Sequence, residues 1–288
     1  TTETVKEAMQ IDRCTWDEDY KNMTQEIRTG LLKLAHADNG DYTTVLMQGS
    51  GTFGVESVLS SVISSTDKVL VLQNGAYSKR MVEMCDYHGI KYVVYEEDYA
   101  HVPDPAIVED VLKSDGNITH ISMVHSETTS GLLNDIAAIG ELAKKYNKKF
   151  IVDAMSSFGG VDINVPELGI TYLVSSANKC IQGVPGFSFI IANVSDLKQT
   201  KGIACSLSLD LYAQWETMEK DGGKWRFTSP THVVAAFSQA LKELAAEGGI
   251  TARNARYTAT NRALRKGMEE LGFKAYIDLS LIHISEPT

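Results

Sequence analysis

The 288-residue chain has few cysteines and no long apolar run. Its four cysteines, Cys14, Cys85, Cys180 and Cys205, are far apart and form no CxxC pair, which predicts reduced thiols rather than a disulfide or zinc framework. The seven histidines show neither HExxH nor HxH spacing, so no metal site is predicted. No run approaches the ~20 apolar residues of a membrane-spanning helix. With no secretory signal at its start either, the protein is expected to be cytoplasmic and not membrane-bound.

Basic residues are also in deficit. Lys and Arg total 27 against 37 Asp and Glu, which gives a formal net charge of −10. This balance disfavours nucleic acid or an anionic membrane as the main partner, although a local cluster of donors can still bind a small anion. The hydrophobic content of 43% and charged content of 22% are ordinary for a soluble globular protein and argue against disorder.

What the chain does contain is a regular alternation of short apolar runs and amphipathic stretches between Thr43 and Ala192. Most runs are β-branched and nearly continuously apolar, as in strands covered on both faces. The predicted strands are Thr43–Gln48, Lys68–Gln73, Lys91–Tyr95, Ile118–Val124, Lys149–Asp153, Tyr172–Ser175 and Phe187–Ala192. The predicted helices between them are Phe53–Ile63, Ser78–His88, Pro105–Lys113 and Asp135–Tyr146. We therefore predict an α/β fold, a mostly parallel seven-stranded sheet with helices on both faces and ligands at the carboxyl ends of its strands.

After Ala192 the pattern becomes helical. Three helices are predicted at Ser206–Lys220, Pro230–Glu247 and Thr251–Leu271, each followed at or near its end by glycine. The start without methionine suggests a fragment, with 1–20 a truncated N-terminal segment and 21–245 a large domain. Residues 246–277 are expected to begin a small C-terminal domain. Residues 278–288 are predicted to be a non-native tail, since this segment resembles translated sequencing adaptor.

A glycine-rich segment, Gly49-Ser50-Gly51-Thr52-Phe53-Gly54, follows the first predicted strand and precedes a helix. It matches G-x-G-x-x-G, but the dinucleotide fingerprint expects an acidic residue at the end of the next strand, where Gln73 stands. The lysine of a P-loop is missing too. What remains is either a plain tight turn or an anion site, in which backbone N–H groups at a helix N-terminus receive a phosphate.

Two further residues give this segment a chemical context. Lys179 lies in a short polar turn between two apolar runs, and Asp153 ends the run Ile151-Val152-Asp153. Taken singly, these are an ordinary surface lysine and a loop aspartate. Together with a phosphate cradle, they supply what pyridoxal phosphate needs, which is an amine for its aldehyde and a carboxylate for its ring nitrogen. A carboxylate beside the pyridine nitrogen would keep it protonated by Coulomb attraction.

Other polar residues are expected at the same sheet edge. Tyr77 begins a helix there and suits stacking on a ring, although it could equally be a core residue. The segment His125-Ser126-Glu127-Thr128-Thr129-Ser130-Gly131 is rich in hydroxyl groups. A hydrolase is disfavoured because no G-x-S-x-G elbow occurs, so hydroxyl donors to a cofactor are the favoured interpretation.

Over roughly Thr4 to Ile277, the sequence resembles the fold-type I, aspartate-aminotransferase-like pyridoxal-phosphate enzymes of the class V aminotransferase branch. The likeness is carried by Thr15–Tyr20, Val124–Thr129, Val152–Gly160, Ser175–Gly186, Ser206–Trp215 and Lys224–His232. The resemblance implies that Lys179 bonds to the aldehyde of pyridoxal 5′-phosphate and that Asp153 pairs with its ring nitrogen. It also implies that Tyr77 stacks on the ring, that Ser50, Gly51 and Thr52 hold the phosphate, and that Thr128 lies near the phenolic oxygen. Thr228 would reach the phosphate in a neighbouring subunit, which implies a homodimer.

Within that branch the likeness implies transfer of the amino group of 2-aminoethylphosphonate to pyruvate, as in phosphonate catabolism. An alanine–glyoxylate or serine–pyruvate aminotransferase on the same scaffold is the nearest alternative. A cysteine desulfurase is less favoured because no mobile nucleophilic cysteine is evident. The opening proline-glycine loop of the family and its small C-terminal domain, with an arginine for the substrate's acidic group, are missing. An inactive fragment is therefore a further alternative.

Overall fold

The computed structural model describes residues 1–277, and the tail predicted at 278–288 lies outside them. Its helices are α1 (Glu3–Glu7), α2 (Glu18–Leu34), α3 (Gly51–Val62), α4 (Ala76–His88), α5 (Pro105–Ser114), α6 (Ile136–Lys145), α7 (Val194–Gln199), α8 (Leu211–Lys220), α9 (Thr231–Glu247) and α10 (Gly249–Glu270). Its strands are β1 (Tyr42–Gln48), β2 (Val69–Gln73), β3 (Tyr92–Glu96), β4 (His120–Val124), β5 (Ser126–Glu127), β6 (Leu132–Leu133), β7 (Lys149–Asp153), β8 (Tyr172–Ser176) and β9 (Phe187–Asn193). A 3₁₀ turn at Ala8–Gln10 follows α1.

Seven strands form one sheet in the order β1-β9-β8-β7-β4-β2-β3. Only β9 pairs antiparallel with its neighbours, β1 and β8, while the other pairs are parallel. The predicted mostly parallel seven-stranded sheet is therefore confirmed. In its register Asp153 lies between Val124 and Val174, which places the end of β7 at the centre of the carboxyl edge.

The core lies between this sheet and the surrounding helices. Every residue of β4 and of β8 is buried, which explains why these strands read as nearly unbroken apolar runs. Phe187 of β9 meets Phe237 of α9 edge to face, with ring centroids 5.0 Å apart. Such pairs add about 0.5–1.5 kcal/mol beyond area burial. The packing fixes α9 and β9 behind the segment that carries Lys179.

The structure departs from the predicted elements in several places, including α7, β5 and β6, which were not predicted. Helix α8 begins at Leu211, not at Ser206, because the side chain of Asp210 accepts a hydrogen bond from the N–H of Ala213 and starts the helix there. The helix α2 was not predicted, and it packs with β1 and α9. The division into large and small domains stays a prediction. Within residues 1–277, no helix combines the length and the apolar character needed to cross a lipid bilayer.

Candidate active site

Five strands of the large sheet end at one edge, and the segments that follow them enclose a cavity of about 220 Å³. Seven of the eight predicted site residues line it: Ser50, Gly51, Thr52, Tyr77, Thr128, Asp153 and Lys179. The eighth, Thr228, is exposed in the segment between α8 and α9 and is not part of the lining. The sheet edge thus gathers residues that are up to 129 positions apart in the sequence (179 − 50 = 129).

The segment after β8 holds Lys179 in a closed turn. The N–H of Ala177 donates to the carbonyl of Phe187 at 3.1 Å, and the N–H of Gly183 donates to the carbonyl of Ala177 at 3.0 Å. Inside this loop the N–H of Gln182 donates to the carbonyl of Lys179 at 2.7 Å. Gln182 has a positive φ of 68°, a left-handed conformation that is uncommon outside glycine and needs support from its surroundings. The backbone of the lysine is therefore fixed before any ligand binds.

Helix α10 supplies that support. The side-chain amide of Gln182 donates to the hydroxyl of Tyr257 at 2.8 Å. The guanidinium of Arg253 donates to the carbonyl of Cys180 at 2.6 Å and pairs with Glu247 at 2.6 Å. Sequence reasoning did not find these contacts, because they join the lysine turn to a helix more than 70 residues away.

Asp153 ends β7 inside the cavity and is only 5% exposed. Burial raises the pKa of its carboxyl to about 7, and the N–H of Met155, which donates to it at 2.9 Å, opposes that rise. The negative charge of Glu127 raises the pKa further, while Arg80 and Lys179 lower it. A cationic group placed beside this carboxyl would favour its ionised form further.

The N-terminus of α3 forms another wall of the cavity. Ser50 is its N-cap, yet no side chain accepts a hydrogen bond there. Gly49, before the cap, has φ +111°, and a Cβ on Gly51 would lie 2.4 Å from Met155 Sδ. Glycine is thus favoured by backbone conformation at Gly49, while at Gly51 a side chain would require Met155 to move. The result is a helix end whose amides remain available to an anion.

Arg80 of α4 brings a positive charge to the same cavity, and sequence reasoning missed it. Its guanidinium lies 5.0 Å from the centroid of the Tyr77 ring and donates to Thr52 Oγ1 at 3.4 Å. A signal was available, because residues three apart on a helix share a face and Tyr77 was already a candidate. Arg80 and the α3 end together would offer an anion both a helix dipole and a full positive charge.

Glu127 is completely buried beside this cavity and closes the N-terminus of α4. Its carboxylate accepts hydrogen bonds from the N–H groups of Tyr77 at 3.3 Å and Ser78 at 3.2 Å. The hydroxyls of Ser78 and Thr129 donate to it at 3.2 and 2.8 Å. A Cβ on Gly75 would lie 2.2 Å from Glu127 Cδ, so only glycine admits the carboxylate. Glu127 therefore fixes the helix turn that carries Tyr77.

A pair of hydroxyl groups completes the polar lining. Thr128 Oγ1 and Ser156 Oγ lie 2.8 Å apart, within hydrogen-bonding distance. The predicted hydroxyl-rich segment after β4 thus meets the loop after Asp153. Chemically, the cavity can bind an anion at α3, hold a cationic ring atom beside Asp153 and present the primary amine of Lys179. Among residues 1–277, no three His, Cys, Asp or Glu side chains converge on a possible metal site.

Comparison with known proteins places this geometry in a context. Residues 13–279 match the family model described as aminotransferase class-V. The 2-aminoethylphosphonate–pyruvate transaminase of Lysinibacillus sphaericus is 56% identical over 98% of this chain and 76% of its own length. A bifunctional phosphonoacetaldehyde hydrolase/aminoethylphosphonate transaminase of Clostridioides difficile is 54% identical over 96% of this chain and 44% of its own. The crystal structure of pyridoxamine-pyruvate aminotransferase from Mesorhizobium loti superposes with a TM-score of 0.89 at 26% identity, covering 99% of this chain and 74% of that one.

Proposed function

Because the chain belongs to the class-V aminotransferases, we propose that it transfers the amino group of 2-aminoethylphosphonate to pyruvate, using pyridoxal 5′-phosphate. The products are phosphonoacetaldehyde and L-alanine. The substrates follow from relatives that are 54–56% identical over nearly the whole chain and whose names state this activity. Fold likeness alone would not separate them from glyoxylate-dependent members.

One observation carries the proposal: a single cavity contains a primary amine, a buried carboxylate and an open helix N-terminus. These residues fit pyridoxal phosphate. The α3 end and Arg80 match its phosphate, Asp153 matches its ring nitrogen, and Lys179 matches its aldehyde. The close approach at Gly51 supports the fit, since a side chain there would fill the space beside the helix amides.

When bound, the cofactor supplies an aldehyde that takes up the amino group and a ring that withdraws electrons from the reacting carbon. The protein supplies positioning and proton transfer. Lys179 would remove the proton from the substrate carbon next to nitrogen, acting as general base. Asp153, ionised by a cationic partner, would hold positive charge at the ring. Tyr77 would pack against one ring face, with Arg80 and Glu127 fixing its helix turn.

The decisive test replaces Lys179 with alanine. We expect Lys179→Ala to lose the visible absorbance of protein-bound cofactor and to lower transamination at least about 10⁴-fold, since it removes both the covalent link and the base. Borohydride reduction and peptide mapping should label position 179 in the parent. Lys198→Ala, an exposed lysine on α7, is the control and should change neither quantity.

Amino donors and acceptors decide the substrate. Activity with 2-aminoethylphosphonate and pyruvate should exceed activity with alanine or serine as donor and glyoxylate as acceptor. A preference for alanine and glyoxylate would replace the substrate assignment while leaving the role of Lys179 intact. Cofactor binding without turnover of any pair would point to the inactive-fragment alternative.

We also propose that the chain forms a homodimer in which Thr228 reaches the cavity of the second subunit. Support comes from an exposed face beside the α3 end, where Phe53 is 50% and Phe227 is 47% exposed around a groove of about 540 Å³. Phe227→Glu should lower the mass measured by light scattering to that of a monomer. Ile107→Glu, at a similar exposure of 45% on α5, should not. The cytoplasmic location and the domain boundaries stay predictions.

A further inference from the structure

Outside the cavity, three side chains from separate elements form a hydrogen-bonded row. Cys205 Sγ lies 3.2 Å from His88 Nδ1, and His88 Nε2 lies 2.9 Å from Glu56 Oε1. Glu56 belongs to α3, His88 is the last residue of α4, and Cys205 lies between α7 and α8. We propose that Cys205 is a nucleophilic thiol, activated by His88 and Glu56, that exchanges with low-molecular-weight disulfides.

The order of the row fixes the role of each nitrogen of the imidazole. A carboxylate only accepts hydrogen bonds, so Glu56 requires a proton on Nε2 of His88. In the neutral ring, Nδ1 then carries the lone pair that faces the thiol. A nucleophile, a base within reach of it and a third group orienting that base are the recurring arrangement of activated nucleophiles.

The surroundings of Cys205 favour transfer of its thiol proton to His88 rather than to the carbonyl of Ser60. The N–H of Cys205 donates to the carbonyl of Ser60 at 3.2 Å, which ties the loop to α3. The same carbonyl lies 3.6 Å from Cys205 Sγ, but a peptide carbonyl cannot take up the proton. The side chain of His88 is 17% exposed and that of Glu56 is 32% exposed, whereas Cys205 is exposed. The base is thus held in place while the sulfur remains open to reagents.

The exchange balances without any further oxidant. Cys205 gives its S–H proton to His88 Nδ1 as its sulfur attacks one sulfur of the disulfide. A new S–S bond forms at Cys205, the S–S bond of the reagent breaks, and the leaving thiolate takes the proton from His88. Excess thiol reverses the step.

The other cysteines provide internal controls. Cys14 is exposed as well, but within residues 1–277 its sulfur makes no hydrogen bond to an imidazole, while Cys85 and Cys180 are buried. A reagent that merely sought exposed thiols would modify Cys14 and Cys205 alike. The row predicts a difference between them, because general-base assistance contributes about 10²–10⁴-fold where it operates fully.

The experiment incubates the full chain with pyridoxal phosphate and then with glutathione disulfide, and follows each cysteine by peptide mass spectrometry. Cys205 should gain the glutathionyl group at least about ten times faster than Cys14, and dithiothreitol should remove it. Equal rates at the two cysteines would overturn the proposal, and this comparison needs no variant.

Two substitutions then test the row itself. His88→Gln should bring the rate at Cys205 down to that of Cys14, because an amide cannot hold the proton. Glu56→Gln, which can still accept from Nε2, should slow it by a smaller factor. An unchanged rate in both variants would also refute the proposal. Labelling of buried Cys85 would reveal a misfolded variant, and Cys205→Ser should retain transaminase activity because the row lies outside the cavity.

Discussion

Helices α3 and α4 begin at the same edge of the sheet, and their N-termini differ in whether protein groups accept hydrogen bonds from their N–H groups. After β2, the first four N–H groups of α4 are all occupied. Ala76 N–H donates to Thr129 Oγ1 at 3.1 Å, Tyr77 and Ser78 donate to Glu127, and Lys79 N–H donates to the carbonyl of Gly75 at 3.0 Å. After β1, the N-cap of α3 has no side-chain hydrogen bond. One end is closed by the protein's own carboxylate, and the other is left for a ligand.

The difference shows that the same property of a helix N-terminus can serve either stability or ligand binding. A helix N-terminus carries partial positive charge and unpaired donors, which an anion can satisfy. At α4 the anion is built in, so that end is rigid and can position Tyr77 and Arg80. At α3 the corresponding place opens into the cavity and lies beside Arg80. The closed end therefore stabilises the protein, whereas the open end is available to a ligand.

The largest effect should come from closing the open end. Ser50→Asp places a carboxylate at the N-cap of α3, where aspartate caps as well as serine does. Because it puts a negative charge where a phosphate must bind, we expect cofactor affinity to fall at least about 100-fold while the cofactor-free protein unfolds at the same or a slightly higher temperature.

Ser50→Asn is the matched control, since it caps equally well without charge. Its cofactor affinity, measured by fluorescence titration, should stay within a few-fold of the parent. If Ser50→Asp bound the cofactor as tightly as Ser50→Asn, the phosphate would not lie at the α3 end.

Opening the closed end should have the next largest effect. Glu127→Gln replaces a buried carboxylate, both of whose oxygens accept hydrogen bonds, with an amide. The amide nitrogen can only donate, so it cannot accept from the backbone N–H group that faces it. Hydrogen bonds to charged groups contribute about 1.5–3 kcal/mol, so we expect the free energy of unfolding in urea to fall by about 2–3 kcal/mol.

Glu83→Gln, an exposed residue of the same helix, should change that free energy by less than about 0.5 kcal/mol. Cofactor affinity should also fall in Glu127→Gln, because Tyr77 and Arg80 lose their fixed helix turn. Equal stability of the two variants would contradict the structural role of Glu127.

The contrast between the two helix ends also marks how far the sequence can predict the structure. The seven strands of the main sheet, and the meeting of Ser50, Asp153 and Lys179 at its edge, follow from local patterns and from the rule that parallel strands end together. Helix α2 was not predicted, because it lies outside the strand–helix alternation. The start predicted for α8 at Ser206 was wrong, because Asp210 is the N-cap and the helix begins at Leu211.

The closure of α4 could not be predicted, for a physical reason. Glu127 lies 50 positions from Tyr77 and reaches it only because β2 and β4 are neighbours in the sheet. The same holds for Arg253 and Tyr257, which support the lysine turn from α10. Sequence patterns report local propensity and burial, while these contacts depend on the register of the finished fold. The likeness to a family supplied ligand roles but not these supports.

Another effect is electrostatic and links the closed end to the carboxyl of Asp153. In the folded, cofactor-free protein, burial raises the pKa of Asp153 to about 7, against about 3.9 in an unfolded chain. Between these values the folded state keeps a proton that the unfolded state releases. The stabilisation is complete below about pH 4 and is lost as the pH rises through 7, with a slope of at most about 1.4 kcal/mol per pH unit.

Urea unfolding of the parent and of Asp153→Asn at pH 5, 6 and 7 measures this term as the difference between the two proteins. Because the charge of Glu127 adds to the rise in the pKa of Asp153, Glu127→Gln should move the loss of stability to lower pH. A difference that stays constant with pH would mean that Asp153 is already ionised without a ligand. Burial would then not raise the pKa of this carboxyl, although a carboxylate could still pair with a ring nitrogen.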